Sequence, residues 1–209
     1  MLMADHAPNH KEQTPTDIPT LIAHCLSGDQ NGYTQLYNSF APAMYRLCYS
    51  LLLNQQDAED VMQDVFVYAF KNLQRYDSQK AAFKTWLCTI AVSRCRNMYR
   101  RKRFLLVDWS QLLHLQFPAP RSEMPEHALT HKDAAHVIHA ALAELSPRLR
   151  EAVVLRYGHG LTYREIADIM NCPPKTAESR VRLAHEQLRS RLQPIGHTLL
   201  EELWQVQEQ

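Results

Sequence analysis

At 209 residues, with 45% apolar residues and a formal net charge of +1, the chain can bury a core, and any attraction to nucleic acid must come from local clusters of Lys and Arg. Five cysteines, Cys25, Cys48, Cys88, Cys95 and Cys172, are odd in number and lack close CxxC spacing, which excludes a zinc ribbon or disulfide scaffold and fits a reducing compartment. No apolar run approaches the roughly 20 residues of a membrane span, and the N-terminus has no secretory apolar core, so a cytoplasmic protein without membrane insertion is expected.

Residues 1 to 17 are polar and without period, and read as a mobile leader. From Asp17 onward apolar residues recur at helical spacing through Leu21, Ile22, Cys25, Tyr33, Leu36, Tyr37, Phe40, Met44, Leu47 and Leu51, with Pro42 expected to kink or break the helix. The next segment, DAEDVMQDVFVYAFKNLQRY, places Ala58, Val61, Met62, Val65, Phe66, Ala69 and Leu73 on one face, with Asp57, Asp60, Asp64 and Lys71 opposite. It is an amphipathic helix whose first-turn acids also suit a helix N-terminus.

After the polar loop DSQKA, the stretch FKTWLCTIAVSRCRNMYRRKR sets Phe83, Leu87, Ile90, Ala91 and Met98 on a core face. Thr85, Thr89, Ser93, Arg96, Arg100 and Arg103 form a polar strip on another. Six basic residues and no acid lie from Arg94 to Arg103; such a run is either a solvated face or a phosphate contact. Trp86, between strip and core, reads as a core residue because Phe83, Leu87 and Ile90 are its helical neighbours. An apolar piece, FLLVDWSQLLHLQF, precedes PAPRSEMP, whose prolines cannot continue a helix, so residues 105–130 are read as a linker.

Helical patterns resume over His131 to Leu145, Ser146 to Tyr157, Thr162 to Met170 and Pro174 to Leu192. Ser146 before Pro147 predicts a side-chain cap, with Gly158 ending that helix. Thr162 and Glu165 form a capping box, and Asn171 tolerates the left-handed backbone that a tight turn NCPP requires. Ala177, Val181, Ala184 and Leu188 pack the last helix inward, leaving Lys175, Thr176, Glu178, Ser179 and Arg182 at its N-terminal end, where a recognition helix meets the major groove. The fold class is therefore all-α: two small helical domains joined by a flexible linker, the second a helix-turn-helix.

Two stretches, DAEDVMQDVFVYAFKNLQRYDSQKAAFKTWLCTIAVSRCRNMYRRKR and LSPRLREAVVLRYGHGLTYREIADIMNCPPKTAESRVRLAHEQLRSRL, resemble the second and fourth conserved regions of the extracytoplasmic-function sigma factors. The likeness covers residues 18 to 192. It implies a region 2 domain over 18–104, a region 4 domain over 131–192 and a C-terminal tail over 193–209. Such a protein is not an enzyme and has no cofactor; its partners are bacterial core RNA polymerase and promoter DNA, and members of the family are commonly held by an anti-sigma factor.

By that resemblance Asp57, Asp60, Gln63 and Asp64 would dock on polymerase. Thr89, Ser93, Arg96, Arg100 and Arg103 would lie along the minus-ten element, with an unstacked base received by Tyr76, Asp77, Ser78, Gln79 and Lys80 in the loop before that helix. Lys175, Thr176, Glu178, Ser179, Arg180 and Arg182 would meet the minus-thirty-five element. Asn171, Pro173 and Glu178 stand where the family usually has glycine, a Ser-like cap and a basic residue, which leaves two readings: weakened DNA affinity, or Glu178 accepting from a cytosine amino group. The competing function is a helix-turn-helix regulator with a helical sensor domain that acts without joining polymerase. His131, His136 and His139, with His24 and Cys25, give no closed ligand set, so no metal is expected. Leu199, Leu200, Leu203 and Trp204 form a short apolar stripe that either caps the second domain or docks a partner.

Overall fold

A computed structural model describes residues 17–110 and 131–192, and every regular element among them is helical. Chain contacts divide the protein into two compact units, residues 1–39 and 40–209. All of the expected leader but Asp17, most of the expected linker and the tail stripe lie outside the described residues.

In the first unit, α1 (Ile18–Leu26) buries Leu21, Ile22 and Cys25, at the spacing expected. Gly28, at φ +90°, turns the chain, and the Asp29 carboxylate accepts from the Asn31 amide at 2.9 Å as α2 (Gln30–Leu52) begins. Gly32 suits its place for a different reason: a Cβ there would stand 3.0 Å from His24 Cβ and 3.1 Å from the Cys25 nitrogen, tight enough to press on α1. Helix α2 runs through Pro42, so of the expected kink or break there is no break. Proline removes its own N–H donor and crowds the carbonyl four residues back, and the buried residues Phe40, Met44, Leu47 and Leu51 hold the helix on both sides of it.

The second unit begins with the rest of α2. Asn54 caps α3 (Gln55–Lys71) through its side chain, which accepts from the Asp57 amide at 2.9 Å. A short 3-10 turn, Leu73–Arg75, leads to the loop before α4 (Phe83–Ser110). Helix α4 therefore continues past the point where the linker was expected to begin. It is buried more widely than a single core face: Thr85, Cys88, Val92 and Cys95 join Phe83, Leu87, Ile90 and Ala91 inside.

Helices α5 (His131–Glu144), α6 (Pro147–Val153), α7 (Tyr163–Met170) and α8 (Pro174–Leu192) complete the unit. The expected side-chain cap at Ser146 is absent; its carbonyl accepts from the Arg150 amide at 2.9 Å, while Pro147 presets the first helical φ. The helical stretch runs on to Gly158, but past Val153 it widens into a π-helical turn, Val154–Gly158, and Leu161 closes on the Leu155 carbonyl at 3.2 Å. That wider turn lets Leu155 and Leu161 both be buried. The capping box on α7 is present in both directions, and Asn171 ends α7 at φ 50°. Inward packing of α8 by Ala177, Val181 and Ala184 follows the sequence pattern.

Candidate nucleic-acid interface

Asp60, Gln63 and Asp64 lie on the exposed side of α3 with Val67, Tyr68 and Lys71. Positions 60, 63, 64, 67, 68 and 71 form one stripe. Val67 is 52% exposed, and Tyr68 carries the Arg94 guanidinium 4.8 Å from its ring centre. These two apolar residues were missed because, read as a period, they only continue the polar face. Asp57 is set apart: its carboxylate is largely covered and pairs with Lys102 of α4.

The loop before α4 is braced from within. Tyr76 donates its hydroxyl to the Ala81 carbonyl at 3.1 Å, and its ring packs 5.3 Å from both Phe83 and Trp86. Asp77 accepts from the Gln79 amide at 3.0 Å and pairs with Lys80 at 3.2 Å. The first of these contacts, then the second, holds its carboxyl below the usual range. Ser78, Gln79 and Lys80 are exposed at the tip, whereas Tyr76 and Asp77 are half-buried and shape it. Trp86 is half-buried in the same aromatic cluster.

The polar strip of α4 is divided. Thr89, Ser93 and Arg100 are exposed, and Arg100 reaches Asn97; the Arg103 side chain is outside the described residues. The remainder is covered by α6, α7 and the turn between them. Lys84 donates to the His159 carbonyl at 2.7 Å, and Thr85 donates to Glu165 at 2.7 Å. Arg96 grips Glu151 through two parallel bonds, Nε to Oε1 at 2.9 Å and Nη2 to Oε2 at 2.6 Å. This bidentate pair is of the strong, charge-assisted kind, and the bond to Glu151 raises the Arg96 pKa. Burial alone would push Glu165 up, but bonds from Thr85 and Thr162 outweigh it and leave its carboxyl lowered.

Farther along, Arg150 is 6% exposed. Its guanidinium donates to the Leu142, Ala143 and Leu145 carbonyls, to the Leu51 carbonyl at 2.9 Å and to the Tyr99 hydroxyl at 2.7 Å. Tyr99 in turn donates to Leu51. One cation thus joins the end of α5 to the end of α2. Burial, then Lys84 and Arg46, push the His159 imidazole down to about 4, and its Nδ1 finds no partner among the described residues.

On α8, Lys175, Glu178, Ser179 and Arg182 line one cleft of about 420 Å³ together with Tyr157, Tyr163, Val181 and His185. Thr176 and Arg180 lie outside it. Arg180 is half-buried with one guanidinium nitrogen enclosed and unpartnered among the described residues. Pro173 contributes its carbonyl to the first turn, accepting from Thr176 at 2.9 Å and Ala177 at 3.1 Å. The aromatic wall was not read from the sequence, since Tyr157 and Tyr163 belong to the π-turn and to α7.

Among the described residues no group of three or more His, Cys, Asp or Glu side chains is arranged to hold a metal ion. No helix there is long and apolar enough to cross a membrane.

Residues 36–104 match the family model for sigma-70 region 2, and residues 135–188 that for sigma-70 region 4. The chain is 33% identical to the ECF RNA polymerase sigma factor SigE of Mycolicibacterium smegmatis, over 85% of this chain and 70% of that protein. It is 28% identical to SigW of Bacillus subtilis, over 85% and 98%. Among solved structures it is similar to the sigma factor RpoE of Bartonella quintana in complex with the anti-sigma factor NepR. There the TM-score is 0.60 and the identity 27%, covering 77% of this chain and 96% of RpoE.

Proposed function

The chain belongs to the extracytoplasmic-function sigma factors of the sigma-70 family and directs RNA polymerase to promoters for transcription initiation; from that premise we propose how its surfaces divide the work. The exposed stripe of α3, Asp60, Gln63 and Asp64 with Val67 and Tyr68, docks on core polymerase, while Asp57 anchors α3 to Lys102. The observation that carries this reading is the stripe itself: acids flanking an exposed valine and tyrosine on a helix whose opposite face is core. An apolar centre rimmed by charge is the make-up of a protein interface.

Ser93, Arg96, Arg100 and Arg103, with Thr89, follow the backbone of the minus-ten strand. Ser78, Gln79 and Lys80 receive an unstacked base in a loop that Tyr76 and Asp77 brace, which assists melting of the duplex. Lys175, Glu178, Ser179 and Arg182 read the minus-thirty-five element in the major groove, with Thr176 and Arg180 at the edge of that contact. The work is done in the cytoplasm, and an anti-sigma factor is a further partner, as for the similar RpoE.

The test is reconstitution with bacterial core polymerase and transcription from a promoter library. The wild-type chain binds core, and Asp60→Lys with Asp64→Lys weakens binding at least about 10-fold, or 1.4 kcal/mol, at unchanged thermal stability. Undiminished core binding by that variant overturns the assignment of α3.

A further inference from the structure

Glu178 is exposed on α8 and lines the cleft of about 420 Å³, with Lys175 one turn before it and Arg182 one turn after. Arg182 pairs with Glu186 at 2.7 Å, and among the described residues no hydrogen bond or ion pair engages the Glu178 carboxylate. That carboxylate is available to a ligand entering the cleft. Pro173 and Pro174 carry no N–H, and Thr176 and Ala177 give theirs to the Pro173 carbonyl, so the start of α8 has little backbone to offer a phosphate. Selection at this end of the helix falls to its side chains.

An ionised carboxylate only accepts hydrogen bonds. Along the major-groove edge guanine presents N7 and O6 acceptors and thymine an O4 acceptor beside a methyl group, so Glu178 is repelled by both. Adenine has a donor in its N6 amino group, but the N7 lone pair next to it faces the second carboxylate oxygen. Cytosine presents its N4 amino donor without a neighbouring acceptor of its own, and is the base whose edge suits an acceptor best. We infer that Glu178 selects a cytosine in the minus-thirty-five element by accepting from its N4 amino group, while Lys175 donates to O6 and N7 of a guanine one or two base steps away. The spacing follows from the helix: side chains three residues apart on one face are about 5–6 Å apart, against about 3.4 Å per base step. Repulsion between Glu178 and the phosphates is offset locally. Lys175 stands beside it, and Arg182, whose pair with Glu186 is more than half exposed on both sides, exchanges that carboxylate for a phosphate at small cost. Glu178 thus acts by rejecting the wrong bases more than by tightening the grip on DNA.

The assignment of Glu178 rests on the reading of α8 as the minus-thirty-five contact, and the experiment separates the two. Holoenzyme reconstituted from the full-length chain and bacterial core polymerase selects promoters from a library randomised across both elements. Each selected upstream position is then changed singly. With the wild-type chain one upstream position requires cytosine, and any other base there lowers promoter binding at least about five-fold. Glu178→Gln moves the preference at that position to adenine, whose N6 and N7 suit a carboxamide, and leaves the remaining positions as they were. Glu178→Ala makes the position indifferent, and Lys175→Ala relaxes a guanine one or two steps away. The double variant Lys175→Ala with Arg182→Ala tests the reading: lost upstream selectivity supports it, and unchanged selectivity overturns the reading itself. The role of Glu178 is overturned by a wild-type preference without cytosine. It is equally overturned if the double variant loses selectivity while Glu178→Gln and Glu178→Ala keep the wild-type preference and merely bind every sequence more tightly through lost negative charge.

Discussion

On α3 the charged face stays open, with Asp60, Gln63, Asp64 and Lys71 around an exposed Val67 and Tyr68. On α4 an equally polar strip is half covered, with Thr85 buried and Arg96 bound to Glu151. Both helices set a polar strip beside buried residues, and neither strip differs from the other in period. What separates them is the partner chemistry at long range: α6 and α7 bring Glu151 and Glu165, acceptors that match the donors of α4. A polar strip is thus a surface whose occupant depends on which complementary charges the fold can carry to it.

The largest way to break this difference is to remove Arg150. Arg150→Met removes the guanidinium from the Leu51, Leu142, Ala143 and Leu145 carbonyls, of which Leu51 keeps the Tyr99 hydroxyl and Leu142 the Leu145 amide, at a cost of roughly 3–5 kcal/mol. For a chain of this size that is a fall in Tm of about 6–20 °C, checked by calorimetry. A loss below about 1 kcal/mol would mean that the α2–α5 junction is not held by this cation.

Acid gives the next effect. His159 is neutral when buried and its pKa is lowered from 6.5 to about 4, so between those values the unfolded chain binds more protons. Stability is full above about pH 6.5 and falls as the pH drops toward 4, by up to about 3 kcal/mol. The carboxylate of Glu165, also lowered, adds its loss only at the acid end of that window. Urea titrations at several pH values check the slope, and His159→Phe should flatten it between pH 6.5 and 5. A slope that survives this change assigns the effect to other groups.

The smallest folding effect belongs to the open stripe. Val67→Ser should alter stability by no more than about 0.5 kcal/mol, as exposed positions do, while weakening core polymerase binding severalfold. Equal loss of both, measured by denaturation and by competition for core, would place Val67 in the fold rather than in the interface.

Local rules were legible where the cause is local. The α7 capping box, the left-handed Asn171 and the inward face of α8 follow from residues within one turn of each other. Where sequence reading erred, a neighbouring structure outweighed a local signal. Pro42 was tolerated inside α2 because burial on both sides offsets its missing donor and the crowding of its ring, and Ser146 does not cap α6 through its hydroxyl because Pro147 and its own carbonyl already start the helix.

By itself the sequence determined the helices, the family and the residue types on each exposed face, since these depend on spacing and on matched motifs. Tertiary structure alone decided which donors remain available. It separated Asp57 from the α3 acids by giving it Lys102, gathered Tyr157 and Tyr163 beside Lys175 and Arg182, and placed Glu151 on Arg96. Those pairings join residues far apart in the chain, and nothing in the periodicity of a helix records which distant carboxylate will meet its arginine.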